Sequence, residues 1–111
     1  MQSQQLSNQV QLGKKTRAHP RVVAGFIVRI RNGHEIIVAM ARDVSMVGLS
    51  IDAPLPEGKK FPLALSLPGE VRPIVAVGQV ERSDDSGTAL TFVDLAWNNL
   101  FALARFLSPR L

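Results

Sequence analysis

Cysteine is absent from the 111-residue sequence, and tyrosine is absent as well. Without cysteine there can be no disulfide, no thiolate ligand for zinc and no thiol nucleophile. With five phenylalanines and one tryptophan, the chain has few side chains on which nucleic-acid bases could stack. No apolar run approaches the length of about 18 residues that spans a membrane, and the start lacks the pattern of a signal peptide. We therefore expect one cytoplasmic domain without membrane insertion.

Acidic residues are missing from the first 34 positions, although the chain contains nine of them. The same segment holds six of the thirteen lysines and arginines, so the net charge of +4 is concentrated near the N-terminus. Such an asymmetric distribution favours a local anionic partner over a nucleic-acid binder that is basic on every side. The six cations are Lys14, Lys15, Arg17, Arg21, Arg29 and Arg31.

Alternating apolar residues indicate a β-hairpin in "GFIVRIRNGHEIIVAMA". Asn32-Gly33 is a favoured pair for a two-residue turn, and it lies between the two runs. The residues that we expect on the inward face of the hairpin are Phe26, Val28, Ile30, Ile36, Val38 and Met40.

Further short strands follow, separated by turns such as "PLPEGKK", "PGE" and "SDDSG". No helical segments separate these strands, so a parallel sheet with crossover helices is not expected. An all-β-dominated domain with six or so strands, either a small barrel or a sandwich, fits this pattern.

A single helix is predicted at the C-terminal end, over about residues 95–107, with Asp94 as its N-cap. Apolar residues at helical spacing place Trp97 and Phe101 among the side chains that pack on the barrel. Phe106 is expected on the polar side of the helix, where an exposed aromatic ring would indicate a partner surface, and a homodimer is possible.

Two short motifs remain. Arg17 and Arg21 form R-x-x-x-R, and the proline between them makes an extended segment more favourable than a helix. Asp43, Ser45 and Gly48 form D-x-S-x-x-G at the turn that follows the predicted hairpin. Each motif alone is common, because arginines abound in basic proteins and Asp, Ser and Gly abound in turns.

Together, in this order and spacing, "RAHPR" and "DVSMVG" resemble the PilZ family of bacterial cyclic di-GMP receptors. "GTALTFVDL" and the helix after it are similar to the end of that domain. The resemblance implies a six-stranded antiparallel β-barrel of the split-barrel type with a C-terminal helix packed on it. It divides the chain into a flexible tail (1–13) and one domain (14–111), within which an arginine strap (14–21) precedes the barrel (about 22–93) and the helix (about 95–107).

The resemblance also implies a ligand site for cyclic di-GMP. Arginine forks can hold phosphate oxygens or the guanine O6 and N7 atoms, and a carboxylate can accept hydrogen bonds from guanine N1 and N2. A serine hydroxyl can add a contact, and glycine permits a close backbone approach. The expected ligand residues are Arg17, Arg21, Asp43, Ser45 and Gly48, with Lys14, Lys15, His19 and Arg42 as weaker candidates. Thr16 stands where many family members have another arginine, which leaves one or two ligands possible.

Enzymatic functions receive little support from the sequence. His19 and His34 are the only histidines, and no phosphate-binding glycine loop is present. We expect no catalytic residues, no metal and no cofactor, and no DNA or RNA partner. The protein would signal to an unidentified downstream protein. Two alternatives stay open: a protein-interaction adaptor of the same fold that binds no nucleotide, and a small-barrel nucleic-acid binder.

Overall fold

The computed structural model describes residues 19–111, which form seven strands and one α-helix. The predicted tail (1–13) and most of the arginine strap, including Lys14, Lys15 and Arg17, lie outside the described residues. The elements are β1 (Val22–Val23), β2 (Ile27–Asn32), β3 (Glu35–Val44), β4 (Gly48–Ile51), β5 (Lys60–Leu65), β6 (Ile74–Asp84), β7 (Gly87–Leu95) and α1 (Trp97–Leu107), with a short 3-10 helix at Ser108–Arg110.

Six of the strands form a closed antiparallel barrel. Their order is β3-β2-β5-β6-β7-β4, and the barrel closes because β4 also pairs with β3. The seventh strand, β1, pairs outside the ring with the end of β3, through Val22 with Val44 and Val23 with Asp43. The predicted six-stranded barrel with a C-terminal helix is confirmed, and the sandwich alternative is wrong because the sheet closes on itself.

The core lies inside the barrel, where alternate residues of each strand point inward. Val28 and Ile30 of β2 face Leu63 and Leu65 of β5, and all four are almost completely buried. Burying one such side chain contributes about 1.5–3 kcal/mol, so the alternation that predicts the strands also stabilises the barrel.

On β3, the predicted inward face is wrong. Ile36, Val38 and Met40 are exposed, whereas the partly buried Ile37 and the buried Ala39 and Ala41 point into the barrel. Paired residues of neighbouring strands share a face, and Val28 pairs with Ala39. The predicted turn is also shifted by one residue. Asn32 still pairs with Glu35, so the two loop residues are Gly33 and His34.

The helix begins at Trp97, with Ala96 at its N-cap and no side-chain cap. Asp94, the predicted N-cap, is still part of β7, because that strand continues to Leu95. A bulge shifts the pairing of β6 with β7, since Val77 pairs with Asp94 and Gly78 pairs with Phe92.

The packing face of α1 also differs from the prediction. Phe106 is only 6% exposed, and its ring meets the ring of Phe26 edge to face with 5.7 Å between centroids. Arg110 lies over the other side of the Phe106 ring at 4.0 Å. Trp97 and Phe101, expected in the core, are 74% and 58% exposed and contact each other instead. The buried side chains of the helix are Ala102, Leu103, Phe106 and Leu107.

Candidate functional site

The D-x-S-x-x-G motif forms the turn between β3 and β4. Ser45 is fully buried there, and its hydroxyl accepts a hydrogen bond of 3.2 Å from the backbone N–H of Val47. The backbone N–H of Ser45 donates to the carbonyl oxygen of Gly48 at 2.8 Å. In this structure, Ser45 therefore holds the turn closed, and its hydroxyl is engaged within the protein.

Gly48 begins β4, where its Cα lies close against the backbone of β7. A Cβ atom on Gly48 would lie 2.2 Å from the carbonyl oxygen of Leu90, far inside any permitted contact. Gly48 pairs with Thr91 in this register. The glycine is therefore needed for a close backbone approach inside the barrel wall.

A β-bulge controls how β3 presents its charged residues. Ala41 pairs with Ile51 and Asp43 pairs with Ser50, so Arg42 is an extra residue on β3. The bulge changes the alternation, because Ala41 and Val44 both point into the barrel. As a result, the neighbouring residues Arg42 and Asp43 both lie on the outer surface of the barrel.

The two motifs meet at Arg21 and Asp43. The Nη1 atom of Arg21 donates to Oδ1 of Asp43 at 2.5 Å, across 22 positions of sequence. The pairing of β1 with β3 places them side by side, since Val23 lies opposite Asp43. Both side chains are partly exposed. His19 is exposed, and Arg17 of the same motif is outside the described residues.

Arg21, Arg42 and Asp43 line one wall of a groove of about 660 Å³ on the outer surface. Its floor is made of small side chains, because Asp43 pairs with Ser50, Ser50 with Ala89, and Ala89 with Arg82 on the opposite wall. Three arginines and three acids thus border a shallow floor. The six charged residues are Arg21, Arg42, Asp43, Glu81, Arg82 and Asp84.

The opposite wall, on β6, was not anticipated from the sequence. Val80 pairs with Leu90 and Arg82 pairs with Ala89, so Glu81 is an extra residue on β6, as Arg42 is on β3. Glu81 and Arg82 consequently both lie on the outer surface and both line the groove. The only sequence signal is the pair of consecutive charges that interrupts the alternation after Val80.

Asp84 ends β6 at the rim of the groove and organises the turn into β7. Its carboxylate accepts hydrogen bonds from the side chain and backbone of Ser86 and from the backbone of Gly87. These hydrogen bonds, those of Ser86 foremost, with a smaller contribution from the nearby charge of Arg82, hold the pKa of Asp84 below its usual value. Asp84 therefore carries its negative charge even in mildly acidic solution.

Within residues 19–111, no three side chains of His, Asp or Glu come together in a way that could hold a metal ion. None of the helices in this part of the chain is both long and apolar enough to cross a membrane.

The chain folds as a small β-barrel domain with a charged groove on its outer surface. The family model described as "PilZ domain" matches residues 15–108, and the chain belongs to this family. No curated protein matches the chain in sequence.

Three solved structures share the fold. The inhibitor of motility of Bacillus subtilis (MotI/DgrA) is 21% identical with a TM-score of 0.70, and the match covers 85% of this chain and 50% of that one. The present chain thus corresponds to about half of MotI. The PilZ domain of CeSA from a cellulose-synthesizing bacterium is 17% identical (TM-score 0.62, covering 83% and 99%). The PilZ domain of Escherichia coli YcgR, solved with c-di-GMP, is 13% identical (TM-score 0.67, covering 85% and 90%).

Proposed function

We propose that the protein is a receptor for cyclic di-GMP and signals to a partner protein as an adaptor. One observation carries this proposal: Arg21 and Asp43, which come from two separate motifs, meet on one wall of an open groove. Membership of the PilZ family supports it, and so does the fold shared with a PilZ domain that was solved with c-di-GMP. The groove volume of about 660 Å³ is within the range of about 300–1,000 Å³ that is usual for small-molecule sites.

The chemistry of the ligand fits the charges of the groove. A cyclic dinucleotide carries two phosphates, which suit arginine forks, and two guanines, whose N1 and N2 hydrogens suit a carboxylate. Arg21 would take the first role and Asp43 the second. Arg42, on the same wall, and Arg82, on the opposite wall, are further candidates for phosphate contacts. Asp43 would repel a simple anion, whereas it can accept hydrogen bonds from the N1 and N2 atoms of guanine.

The ion pair between Arg21 and Asp43 competes with ligand binding, because the two side chains must separate before they can contact a phosphate and a guanine. Exposed ion pairs contribute only about 0–1 kcal/mol, so the cost of opening this partly exposed pair is small. Hydrogen bonds to charged groups contribute about 1.5–3 kcal/mol each, so phosphate and guanine contacts more than replace it. We expect Arg21 to turn from Asp43 towards a phosphate when the ligand binds.

The rest of the arginine strap completes the proposed site. Arg17 would add a second fork, and Lys14 and Lys15 would add electrostatic attraction. Ser45 and Gly48 would contribute mainly by shaping the turn beside Asp43, because the Ser45 hydroxyl is already engaged and Gly48 lies against β7. No step of this function is catalytic, and a receptor for an intracellular messenger would act in the cytoplasm.

Isothermal titration of the protein with cyclic di-GMP tests the proposal, with a single-stranded oligonucleotide titrated in parallel at two salt concentrations. We expect saturable binding of the dinucleotide and only weak binding of the oligonucleotide. Added salt should weaken oligonucleotide binding more, because a polyelectrolyte releases condensed counterions when it binds. Arg21→Ala should weaken dinucleotide binding at least about tenfold. The matched control Arg72→Ala, an exposed cation outside the groove, should leave it unchanged.

Two results would favour the alternatives. If cyclic di-GMP does not bind at all, the result would favour a protein-interaction adaptor that binds no nucleotide. Tighter binding of the oligonucleotide than of the dinucleotide, with equal losses in Arg21→Ala and Arg72→Ala, would indicate a nucleic-acid binder.

A further inference from the structure

A second surface lies on the outside of β2, β3 and β6, and the charged groove does not include it. We call it the basic apolar face and define it by six outward residues: Arg29, Arg31, Ile36, Val38, Met40 and Val75. Strand pairing makes it continuous, because Val38 lies opposite Arg29, Arg29 opposite Ala64, and Ala64 opposite Val75. A shallow depression of about 280 Å³ lies over the part of the face formed by Arg29, Arg31, Ile36 and Val75, next to β5.

The aliphatic side chains of this face are exposed to an extent that the fold does not require. Val38 is 59% exposed and Val75 is 58% exposed, and Ile36 and Met40 are about half exposed. Single apolar residues on a surface are ordinary, but a contiguous set across neighbouring strands indicates an interaction site. Packing within the barrel does not explain them, since Ile37, Ala39 and Ala41 occupy the inward positions of β3 between them.

The charge of the face is uniformly positive. Arg29 and Arg31 form no ion pair with any described residue, and Arg29 makes only a long hydrogen bond of 3.4 Å to Ser66. Two carboxylates lie at its margin: Asp52 accepts a hydrogen bond of 2.8 Å from the backbone N–H of Met40, and Glu35 precedes Ile36 at the hairpin end. Neither forms an ion pair with the two arginines. An occupant of the face must therefore bring its own negative charges.

Charge complementarity distinguishes between the possible occupants. The N-terminal segment of this chain cannot neutralise the two arginines, because residues 1–34 contain no acid. A second copy that packed the same face against this one would place arginines against arginines. An anionic membrane is usually recognised by clusters of about 4–8 Lys and Arg, whereas this face presents two.

We propose that the basic apolar face is the docking surface for a partner protein, and that the partner presents carboxylates beside aliphatic side chains. Carboxylates would pair with Arg29 and Arg31, and the aliphatic side chains would cover Val38 and its neighbours. Two strands connect the face with the groove: β3 continues from Val38 to Arg42 and Asp43, and β6 continues from Val75 to Arg82. The surface itself does not depend on ligand binding.

A display library of random short peptides, selected on the full chain without cyclic di-GMP, tests the proposal. We expect the selected peptides to combine Asp or Glu with Leu, Ile, Val or Phe. Synthetic forms of these peptides should bind Arg31→Gln about tenfold more weakly or worse, the scale of one lost charge-assisted hydrogen bond. Val38→Ser should also weaken binding. The matched controls Lys59→Gln and Val71→Ser, both exposed and outside the face, should bind like the parent.

Several outcomes would overturn the proposal. One is selection of peptides without acidic residues, and another is equal binding by Arg31→Gln and the parent. A dimer in sedimentation that Val38→Ser dissociates would assign the face to a second copy. Binding to anionic vesicles that Arg31→Gln abolishes, with no peptide selected, would assign it to a membrane. Melting temperatures of all four variants near that of the parent would exclude misfolding as the cause.

Discussion

The glycine of the D-x-S-x-x-G motif could serve either to contact the ligand or to let β4 approach β7 closely. Replacing Gly48 by alanine tests the second role. The added Cβ would lie 2.2 Å from the carbonyl oxygen of Leu90 and 3.2 Å from its carbonyl carbon. Contacts under 3.0 Å do not occur, so β4 and β7 must move apart by most of an ångström. Overpacking of this kind costs about 1–3 kcal/mol.

The assay is thermal unfolding of the parent and two variants, followed by circular dichroism. Each kcal/mol lowers the melting temperature by about 4–8 °C in a domain of this size, so Gly48→Ala should give a large and easily measured decrease. Gly25→Ala is the matched control, because a Cβ there meets nothing within 4 Å. It should be neutral or slightly stabilising, through reduced freedom of the unfolded chain. Equal melting temperatures for the parent and Gly48→Ala would refute the packing role.

Three other predictions concern the helix, the rim of the groove and the strap. Phe106→Ala should cost about 3–5 kcal/mol of unfolding free energy, measured by urea denaturation, whereas Phe101→Ala should change it by less than about 0.5 kcal/mol, because only Phe106 is buried. Ser86→Ala should raise the pKa of Asp84 towards its usual value, measured by NMR titration. Because the folded pKa is the lower one, stability from this carboxylate is present above pH 3.8 and is lost as the pH falls through the folded pKa. Cyclic di-GMP should slow amide exchange in residues 14–21, and equal exchange with and without ligand would contradict the proposed role of the strap.

The alternation of apolar residues predicted the short strands, because a period of two determines which residues face the core. It left a barrel and a sandwich open, and the resemblance to a family favoured the barrel. The alternation was less reliable where the inward residues are small. On β3, Ile36 and Val38 were taken for core residues, but the inward positions hold Ile37 and the small residues Ala39 and Ala41. The helix was also predicted with the wrong packing face. Its spacing placed Trp97 on the apolar face and Phe106 on the polar side, but tertiary packing buries Phe106 and leaves Trp97 exposed.

The candidate site was only partly predictable. Resemblance to a family, and not spacing, brought Arg21 and Asp43 together, because a contact across 22 positions depends on strand pairing. The second wall was missed because a bulge at Glu81 adds one residue to β6 and brings Arg82 to the outer surface. Bulges depend on how two strands fit together, so local sequence preferences give little indication of them.

The most direct test of the proposed function is the affinity of Asp43→Ala for cyclic di-GMP, measured by isothermal titration calorimetry. On a merely basic patch, removal of an acid would leave binding unchanged or strengthen it, and here it would also release Arg21 from its ion pair. If Asp43 accepts hydrogen bonds from guanine, binding should instead weaken at least about tenfold. The control Asp85→Ala, which removes an exposed acid that does not line the groove, should bind like the parent. An Asp43→Ala protein that melts near the parent and binds cyclic di-GMP equally tightly would contradict the proposed site.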